Sequence, residues 1–344
     1  MKTSRQLGMG LVELMVWAVL SVLIIGIIGF IYVNSKQITR VNDTISRLQE
    51  NGRFAVHLID RDMRMAGFRG CDGLDVTPVS TLASAAYPYQ FDVAIAGYHG
   101  GGSSWTPTLD PSISALTPAP SASADVVTIR EIEGQGVQLT AAMAGSTGSL
   151  QVAPGSALAT GDILLVADCS AAAIFNATSF DAASGVVGHA TGGSTVPGNN
   201  SNDLGHVFST DATLYRLVTR TYYVGPSARK PGTNALWVNA VPAYDGQVQP
   251  EEMVEGVDAV ALYFGEDTDG DHAANRYVTA DGVGTWSNVV SVKAQLLLAS
   301  VLDNMATSSQ PYKFPDTAAS FTTPTDRRIR TVLSSVITLR NRVP

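Results

Sequence analysis

The sequence predicts an α+β protein in which one long N-terminal helix packs on an antiparallel β-sheet domain with long Ser/Gly-rich loops. Two observations lead to this fold class. The first is an uncharged, mostly aliphatic run over residues 14–33, after which apolar residues keep a helical spacing as far as Ala66. The second is a series of short β-type segments, separated by Gly, Pro or Asp, that begins near Val126 and continues to Leu339.

The run over residues 14–33 contains twenty residues without a formal charge. A helix of this length crosses the hydrocarbon core of a bilayer, which is about 30 Å thick. Glu13 stands directly before the run, and a carboxylate at the edge of a membrane is costly to bury, which makes it a candidate functional residue. An ordinary membrane anchor with an interfacial glutamate is the simpler interpretation.

The helical pattern continues well beyond this run. Apolar residues recur at spacings of three and four on one face, at Ile38, Val41, Ile45, Leu48, Gly52, Ala55, Ile59, Met63 and Ala66. Charged residues are assigned to the other face, at Asp43, Arg47, Glu50, Arg53, Asp60, Asp62 and Arg64. We therefore predict one helix from about Met9 to about Ala66, roughly 85 Å long, whose second half has an apolar stripe that can lie on a sheet.

Strand patterns occupy much of the remaining chain. Short β-type runs cover 126–130, 135–140, 149–153 and 163–167, and clearer ones cover 213–224, 235–240, 257–264, 289–298 and 329–339. Two polar stretches rich in Ser, Gly, Ala or Asn, over 72–124 and 182–205, predict long loops.

The composition bounds the size of the core and the class of partner. The chain has 344 residues and a formal net charge of −8. About 280 residues remain after the helix, enough for one large domain or two small ones. The acidic balance argues against nucleic acid as a partner, because no basic patch stands out to hold phosphates. Basic residues flank the membrane run on both sides, so charge alone leaves the orientation in the membrane open.

An acidic segment near residue 270 is the candidate metal site. Asp267, Asp269 and Asp271 alternate along the chain, and Gly270 permits a sharp turn. Their oxygens can therefore converge on Ca²⁺, a cation that prefers oxygen ligands. A solvated acidic turn between two strands is the alternative interpretation, and no other cofactor is predicted.

The calcium interpretation lacks one element of an EF-hand loop. With Asp267 in the first position, the twelfth position is Val278, so the bidentate acid expected there is missing. Asn275 or Asp281 could supply further oxygens.

No catalytic motif is evident in the sequence. The five histidines are dispersed and have no metal-ligand spacing: His57, His99, His189, His206 and His272. The chain has no G-x-S-x-G nucleophile motif and no glycine-rich phosphate loop with a lysine. We therefore expect a protein that is not an enzyme.

The leader before the membrane run is short, carries Lys2 and Arg5, and ends in Gly8, whereas a secretory signal peptide is cleaved after its apolar region. These residues resemble the class III prepilin signal of type IV pilins and type II secretion pseudopilins. The resemblance implies that prepilin peptidase cuts after Gly8 and that the new N-terminal residue, Met9, becomes N-methylated. Glu13 is then the fifth residue of the mature chain, where this family uses a glutamate to neutralise the terminal ammonium group of a neighbouring subunit.

Motifs towards the C-terminus make the resemblance more specific. They are GVDA at 256–259, YFG at 263–265, DTDGD at 267–271, Trp286 before VVSV at 289–292, and LRNR at 339–342, together with Cys71 after Gly70 and Cys169 before the Ile-Phe pair at 174–175. This set is similar to the PilW family of type IV pilus minor pilins. The resemblance runs from the first residues to the last.

The resemblance implies a minor pilin that primes pilus assembly and lies at the pilus tip with other minor pilins, the major pilin and a large tip adhesin. It also implies contact with the inner-membrane assembly platform and a single-pass location in the inner membrane, with a periplasmic C-terminal domain. A J-type minor pseudopilin of a type II secretion system is the nearest alternative. A membrane-anchored periplasmic binding module is a second, which a pocket of convergent polar groups would favour.

These interpretations divide the chain into three parts. Residues 1–8 form the leader peptide, residues 9–67 form the pilin helix with a transmembrane segment at 14–33, and residues 68–344 form the periplasmic β-rich domain.

The two cysteines, Cys71 and Cys169, have no metal-ligand spacing. In a periplasmic protein an isolated pair most simply forms one disulfide, with two buried free thiols as the alternative. The bridge would close a loop of roughly a hundred residues, worth about 4–5 kcal/mol in the chain-entropy model.

Overall fold

A computed structural model describes residues 10–70, 77–84, 86–193, 195–243 and 249–342, and the structural statements below refer to these residues. The described part of the chain begins with one long helix and continues as a β-rich domain that contains two sheets. The predicted α+β class is confirmed, and the domain has two sheets where the sequence left their number open.

Helix α1 (Leu11–Met65) has 55 residues and confirms the single long helix predicted from the apolar spacing. At the usual rise per residue it is about 82 Å long. It ends where the backbone N–H of Ala66 donates to the carbonyl oxygen of Met63. Met9, the expected first residue, lies outside the described residues. The first part of α1 is largely exposed, and its last five turns pack against the domain.

Sixteen strands follow α1 in the described part of the chain. In chain order they are β1 (Val79–Ser80), β2 (Ile95–Gly100), β3 (Trp105–Thr106), β4 (Val126–Ala141), β5 (Leu150–Val152), β6 (Ile163–Ala167), β7 (Ala172–Asn176), β8 (Ser179–Asp181), β9 (Val186–Gly188), β10 (Thr213–Pro226), β11 (Asn234–Val241), β12 (Glu251–Glu255), β13 (Val257–Glu266), β14 (Arg276–Val278), β15 (Val289–Ala299) and β16 (Arg330–Thr338). The short helical segments are α2 (Pro111–Ser114) and four single-turn 3₁₀-helices, Tyr87–Tyr89, Ala280–Gly282, Trp286–Asn288 and Arg340–Arg342.

The larger sheet has twelve strands, with β10 near its centre. β10 pairs antiparallel with β4, β6 and β11. On one side β6 pairs with β7, which pairs with β1, and on the other side β4 is followed by β5, β9 and β8. β12 pairs with β11, β2 pairs with β4, and β3 pairs with β2. The pairing of β1 with β7 is parallel, which departs from the wholly antiparallel sheet expected. Because β1 has two residues, its pairing has no periodic signal in the sequence.

The second sheet has four antiparallel strands in the order β14, β13, β15, β16. The C-terminal part of α1 lies against β15 and β16 and also contacts β12 and β4. Its buried residues are Leu48, Gly52, Ala55, Leu58, Ile59, Asp62 and Met63. A Cβ atom at Gly52 would lie 2.3 Å from side-chain carbons of Leu298 and Leu333, so glycine permits close approach of the helix to the sheet.

Several strand and loop predictions were wrong in extent. β4 runs without interruption where two separate strands were predicted. β1, β2, β3 and the short helix α2 lie inside the stretch 72–124, and β9 lies inside the stretch 182–205, although both stretches were predicted as loops. A Cβ atom at Gly97 in β2 would lie 2.5 Å from the ring of Phe264, so packing requires a residue with low strand preference at this position.

Candidate functional site

The N-terminal part of α1 presents a continuous apolar surface. Its large apolar side chains from Leu11 to Val33 are each at least 45% exposed. Within the described chain, α1 is the helix long and apolar enough to cross a membrane, with a mean hydropathy of 2.8 over its most apolar window. An N-terminal signal sequence passes the same test of length and composition. The predicted cleavage site between Gly8 and Met9 lies outside the described residues.

Glu13 lies in the first turn of α1, where the helix dipole favours a carboxylate. Among the described residues, the first side-chain hydrogen bond from α1 to the globular domain comes from Gln37, whose Nε2 lies 3.4 Å from the carbonyl oxygen of Met305. Gln37 is about 36 Å further along the helix axis than Glu13. The globular domain of the same chain is therefore too distant to pair with Glu13.

The acidic loop connects β13 to β14. One carboxylate oxygen from each of Asp267, Asp269 and Asp271 lies within 4.8 Å of the other two, so the structure brings the three predicted ligands together. Asp267 is buried, and the other two are exposed. Calcium takes about six to eight oxygens, so these three carboxylates alone would not complete its coordination.

Hydrogen bonds within the loop satisfy the Asp267 carboxylate. Its Oδ1 accepts from the backbone N–H groups of Gly270 at 2.7 Å and Asp269 at 3.2 Å, and its Oδ2 accepts from that of His272 at 2.9 Å. Burial raises the pKa of Asp267, but these backbone donors outweigh burial and leave the pKa below its ordinary value. His272 adopts φ of 64°, a left-handed conformation that is uncommon for residues other than glycine. The loop thus has internal support for its shape, and calcium binding stays a prediction.

The additional calcium ligands considered from the sequence lie in different settings. Asn275 donates from Nδ2 to Oδ2 of Asp269 at 3.1 Å, while its amide oxygen accepts from the backbone N–H of Thr268 at 2.6 Å. In this orientation the amide of Asn275 closes the loop. Asp281 lies in the 3₁₀-helix that follows β14, and Val278 pairs with β13 as a strand residue.

Cys169 lies in the turn between β6 and β7 and is disulfide-bonded. Its expected partner, Cys71, lies outside the described residues, so the pairing stays a prediction. Gly70 packs against the same turn, because a Cβ atom there would lie 2.7 Å from Cβ of Ala167 and 3.7 Å from the carbonyl oxygen of Asp168. The chain therefore approaches Cys169 directly before it reaches Cys71, which supports the predicted bridge.

The buried carboxylate of Asp62 joins α1 to the larger sheet. Asp62 was assigned to the charged outer face of the helix, but it is 1% exposed. Its Oδ2 accepts a hydrogen bond from Tyr222 Oη at 2.5 Å, and its Oδ1 accepts one from Arg61 Nε at 2.7 Å. Burial, together with the charge of Asp62, raises the pKa of Tyr222. The spacing of three from Ile59 was the signal that could have placed Asp62 on the buried stripe.

Arg220 in β10 extends this network into the sheet. Its Nε lies 3.8 Å from Oδ2 of Asp62, and its two terminal nitrogens contact the carboxylates of Glu131 and Glu133 in β4. The guanidinium therefore balances the carboxylates of Asp62 and Glu131, which would be costly to bury alone. The network therefore links the C-terminal part of α1 to β4 and β10 of the larger sheet.

A cavity of about 400 Å³ lies beside the second sheet, and Arg330 lines it. Arg330 donates to both carboxylate oxygens of Asp326, at 2.7 and 2.8 Å, and to Asp258 at 3.3 Å. Its guanidinium also lies over the ring of Tyr312, 5.2 Å from the centroid. The hydrogen bond from Arg330 lowers the pKa of Asp326 to about 2. Arg330, Asp326 and Asp258 therefore pair with one another, whereas the buried Nε of Arg328, which also lines the cavity, has no hydrogen-bond partner among the described residues.

Residues 221–341 match the model of the protein family described as type IV pilus-assembly protein W, PilW. The matched segment begins within β10 and includes the acidic loop and the whole second sheet, on which α1 packs. The family resemblance expected from the C-terminal motifs is confirmed. A search of the curated proteins found no match, and neither did a search of the solved structures.

Proposed function

Because residues 221–341 carry the PilW family domain, the chain is involved in type IV pilus assembly, and we propose that it acts there as a minor pilin. In this role it primes assembly and lies in a tip-associated complex with other minor pilins and a large adhesin. The observation that carries the proposal is an exposed apolar half-helix attached to a domain of this family. A soluble assembly factor would have no need of such a helix.

The proposed route begins at the inner membrane. Prepilin peptidase removes residues 1–8 and Met9 becomes N-methylated, while α1 anchors the chain and the globular domain lies in the periplasm. The assembly platform then transfers the subunit from the membrane into the pilus. The apolar surface of α1 serves both states, because lipid and neighbouring helices each shield it from water.

Glu13 has a specific role in this proposal. In a filament the exposed helices bundle, and the major pilin or another minor pilin lies next to this chain. A carboxylate buried among apolar helices is tolerated when an opposite charge is close. We infer that the terminal ammonium group of a neighbouring subunit supplies that charge.

We propose a role without catalysis. The two histidine–aspartate pairs found in the structure support the fold. Asp125, which contacts His99 Nδ1 at 2.9 Å, also accepts from the backbone N–H of Leu262 and so connects β2 to β13. Asp168, which contacts His206 Nε2 at 3.0 Å, accepts from backbone N–H groups within the β6–β7 turn.

Deletion and complementation of the gene in its own host test the function, with sheared pili and secreted proteins measured in parallel. We expect deletion to lower the number of surface pili and leave type II secretion intact. Mass spectrometry of sheared pili should find the complementing chain, beginning at N-methylated Met9. Intact pili together with lost secretion would identify a J-type pseudopilin instead. Intact pili and intact secretion would identify a membrane-anchored module outside both systems.

A further inference from the structure

Residues 301–305, the proximal loop, receive the first side-chain hydrogen bond that α1 makes to the globular domain in the described chain. The loop packs on α1 through Met305, whose carbonyl oxygen lies 3.4 Å from Gln37 Nε2 and whose sulfur lies 3.4 Å from Thr44 Oγ1. The described residues of α1 before Gln37 are exposed. The proximal loop therefore marks the level at which the domain begins to cover the helix.

The distance of this loop from a membrane follows from the rise per residue of α1. The uncharged run ends at Val33, and Gln37 lies about 6 Å further along the axis. The headgroup region adds about 5–8 Å on each side of the hydrocarbon core of a bilayer. When residues 14–33 span the core, the proximal loop lies at the level of the phospholipid headgroups.

The proximal loop exposes a large apolar side chain at that level. Leu302 is 62% exposed, and it lies next to a tip where Asn304 adopts φ of 60°. A groove of about 460 Å³ separates the loop from α1. The apolar side chains of its lining include Leu48, Val301 and Leu302, and the basic ones are Arg40, Arg47 and Lys230.

Further basic side chains surround the loop, although the whole chain carries a net charge of −8. Lys36 precedes the groove on α1. Arg327 is exposed and contacts the side-chain oxygen of Asn304. Arg328 donates to the carbonyl oxygen of Gly232 at 2.9 Å, near Lys230. Basic groups therefore flank the proximal loop on both sides.

The acidic groups of this region are partly engaged within the protein. Asp303 accepts from the backbone N–H groups of Asn304 and Arg327, at 2.6 and 2.8 Å, and Asp326 pairs with the partly buried Arg330. Asp43 and Glu255 also line the groove. The charge presented around the loop is therefore more basic than that of the chain as a whole, which suits an anionic surface.

We propose that the proximal loop rests on the surface of a phospholipid membrane, with Leu302 inserted among the headgroups and with Lys230 and Arg327 against lipid phosphates. This inference rests on the proposed function, because it requires α1 to span the membrane. It also adds to that function. The globular domain is held at the membrane surface before assembly, and the subunit gives up this contact when it enters the pilus.

Fluorescence quenching of the full chain in vesicles of phosphatidylethanolamine and phosphatidylglycerol tests the proposal. Leu302→Cys, Val196→Cys and Val22→Cys are each labelled, without reductant, with an environment-sensitive fluorophore, and the wild-type chain treated in the same way is the blank. Val22 reports the membrane-spanning part of α1. Val196 is 85% exposed, and its carbonyl oxygen is 3.3 Å from Tyr89 Oη. Tyr89 lines the same pocket as Arg69, which follows the C-terminal end of α1. Val196 therefore lies near the end of the domain that is remote from the apolar run.

We expect a nitroxide on the lipid headgroup to quench the label at position 302 several-fold more than the label at position 196. A nitroxide deep in the acyl chain should quench the label at position 22. Quenching at 22 with equal, weak quenching at 302 and 196 would overturn the membrane contact and leave the anchor intact. Absence of quenching at 22 would overturn the anchor itself, and with it the contact.

The charge of the surface supplies a second measurement. Lys230→Glu should lower quenching at position 302 several-fold and leave quenching at position 22 unchanged. Replacing phosphatidylglycerol by phosphatidylcholine should likewise lower quenching at position 302 in the chain that retains Lys230. A blue shift at position 302 that depends on protein concentration rather than on lipid would instead identify a second protein copy as the occupant and overturn the proposal.

Discussion

Tyr222 in β10 donates a hydrogen bond of 2.5 Å to Oδ2 of Asp62 in α1, and so connects two residues that are 160 positions apart in the sequence. Both side chains are buried. A hydrogen bond to an ionised carboxylate is shorter and stronger than one between neutral groups. This contact, close to the C-terminal end of α1, holds the helix against the sheet that carries the rest of the network.

We expect Tyr222→Phe to lower the free energy of unfolding by about 1–3 kcal/mol, because Asp62 stays buried with one donor fewer. Tyr223→Phe is the matched control. The adjacent Tyr223 is equally buried, but its hydroxyl finds no hydrogen-bond partner among the described residues, so its removal should be close to neutral. Urea unfolding of the detergent-solubilised chain measures both. Equal effects of the two substitutions would show that the hydrogen bond to Asp62 does not contribute to the free energy of unfolding.

The Asp326–Arg330 pair predicts a dependence of stability on acid. Its hydrogen bond lowers the pKa of Asp326 to about 2 in the folded protein, from 3.8 for the free side chain. The contribution of the pair is therefore present above about pH 4 and is lost as the pH falls towards 2. We expect the melting temperature of Asp326→Asn to fall less steeply over this interval than that of the wild type.

Arg330→Lys keeps the charge but removes the bidentate contact with Asp326. Its melting temperature as a function of pH should lie between those of wild type and Asp326→Asn. Three superimposable profiles would contradict the assignment of this pair.

Glu13→Ala should leave the protein in the membrane fraction and lower its amount in sheared pili. The anchor loses a charge from the edge of the bilayer, which favours retention in the membrane, while the neighbouring ammonium group loses its partner. Quantitative immunoblots of both fractions give the ratio. Glu13→Asp, which keeps the charge, is the matched control and should retain part of the incorporation. Normal incorporation of Glu13→Ala would exclude an assembly role for this carboxylate.

The acidic loop distinguishes calcium binding from a plain turn. A bound ion would stabilise the fold by about 2.7 kcal/mol at a hundred times its dissociation constant. Because Asp267 is held by the backbone of its own loop, we expect equal melting temperatures in millimolar calcium and in chelator, for wild type and for Asp269→Ala. A calcium-dependent rise in wild type that Asp269→Ala abolishes would establish the site.

The predicted Cys71–Cys169 bridge should contribute about 2–5 kcal/mol to stability. Peptide mapping without reductant should find the two cysteine peptides linked. Cys71→Ser, Cys169→Ser and the double substitution should then have the same stability, because each removes the same bond. Additive losses, or both thiols found free in periplasmic material, would contradict the pairing.

The parts of the fold that were predicted correctly are those specified by local spacing. The helical spacing of apolar residues predicted the second half of α1. Strand β6 was predicted with its observed bounds. The packing partners were not predicted, because contacts between distant residues have no period. The sequence places Gly97 in a loop, whereas in the structure it lies in β2 next to the ring of Phe264. The sequence places Asp62 on the surface, whereas in the structure it is buried and accepts a hydrogen bond from Tyr222.

The sequence by itself determined the apolar run, the acid at its start and the family of the C-terminal part. These follow from residue types at fixed spacing along the chain. Only the tertiary structure decided that the domain has two sheets and that residues 301–305 meet α1 just beyond the apolar run. Each of these joins residues far apart in the chain, and their distance depends on how the two sheets and the helix pack.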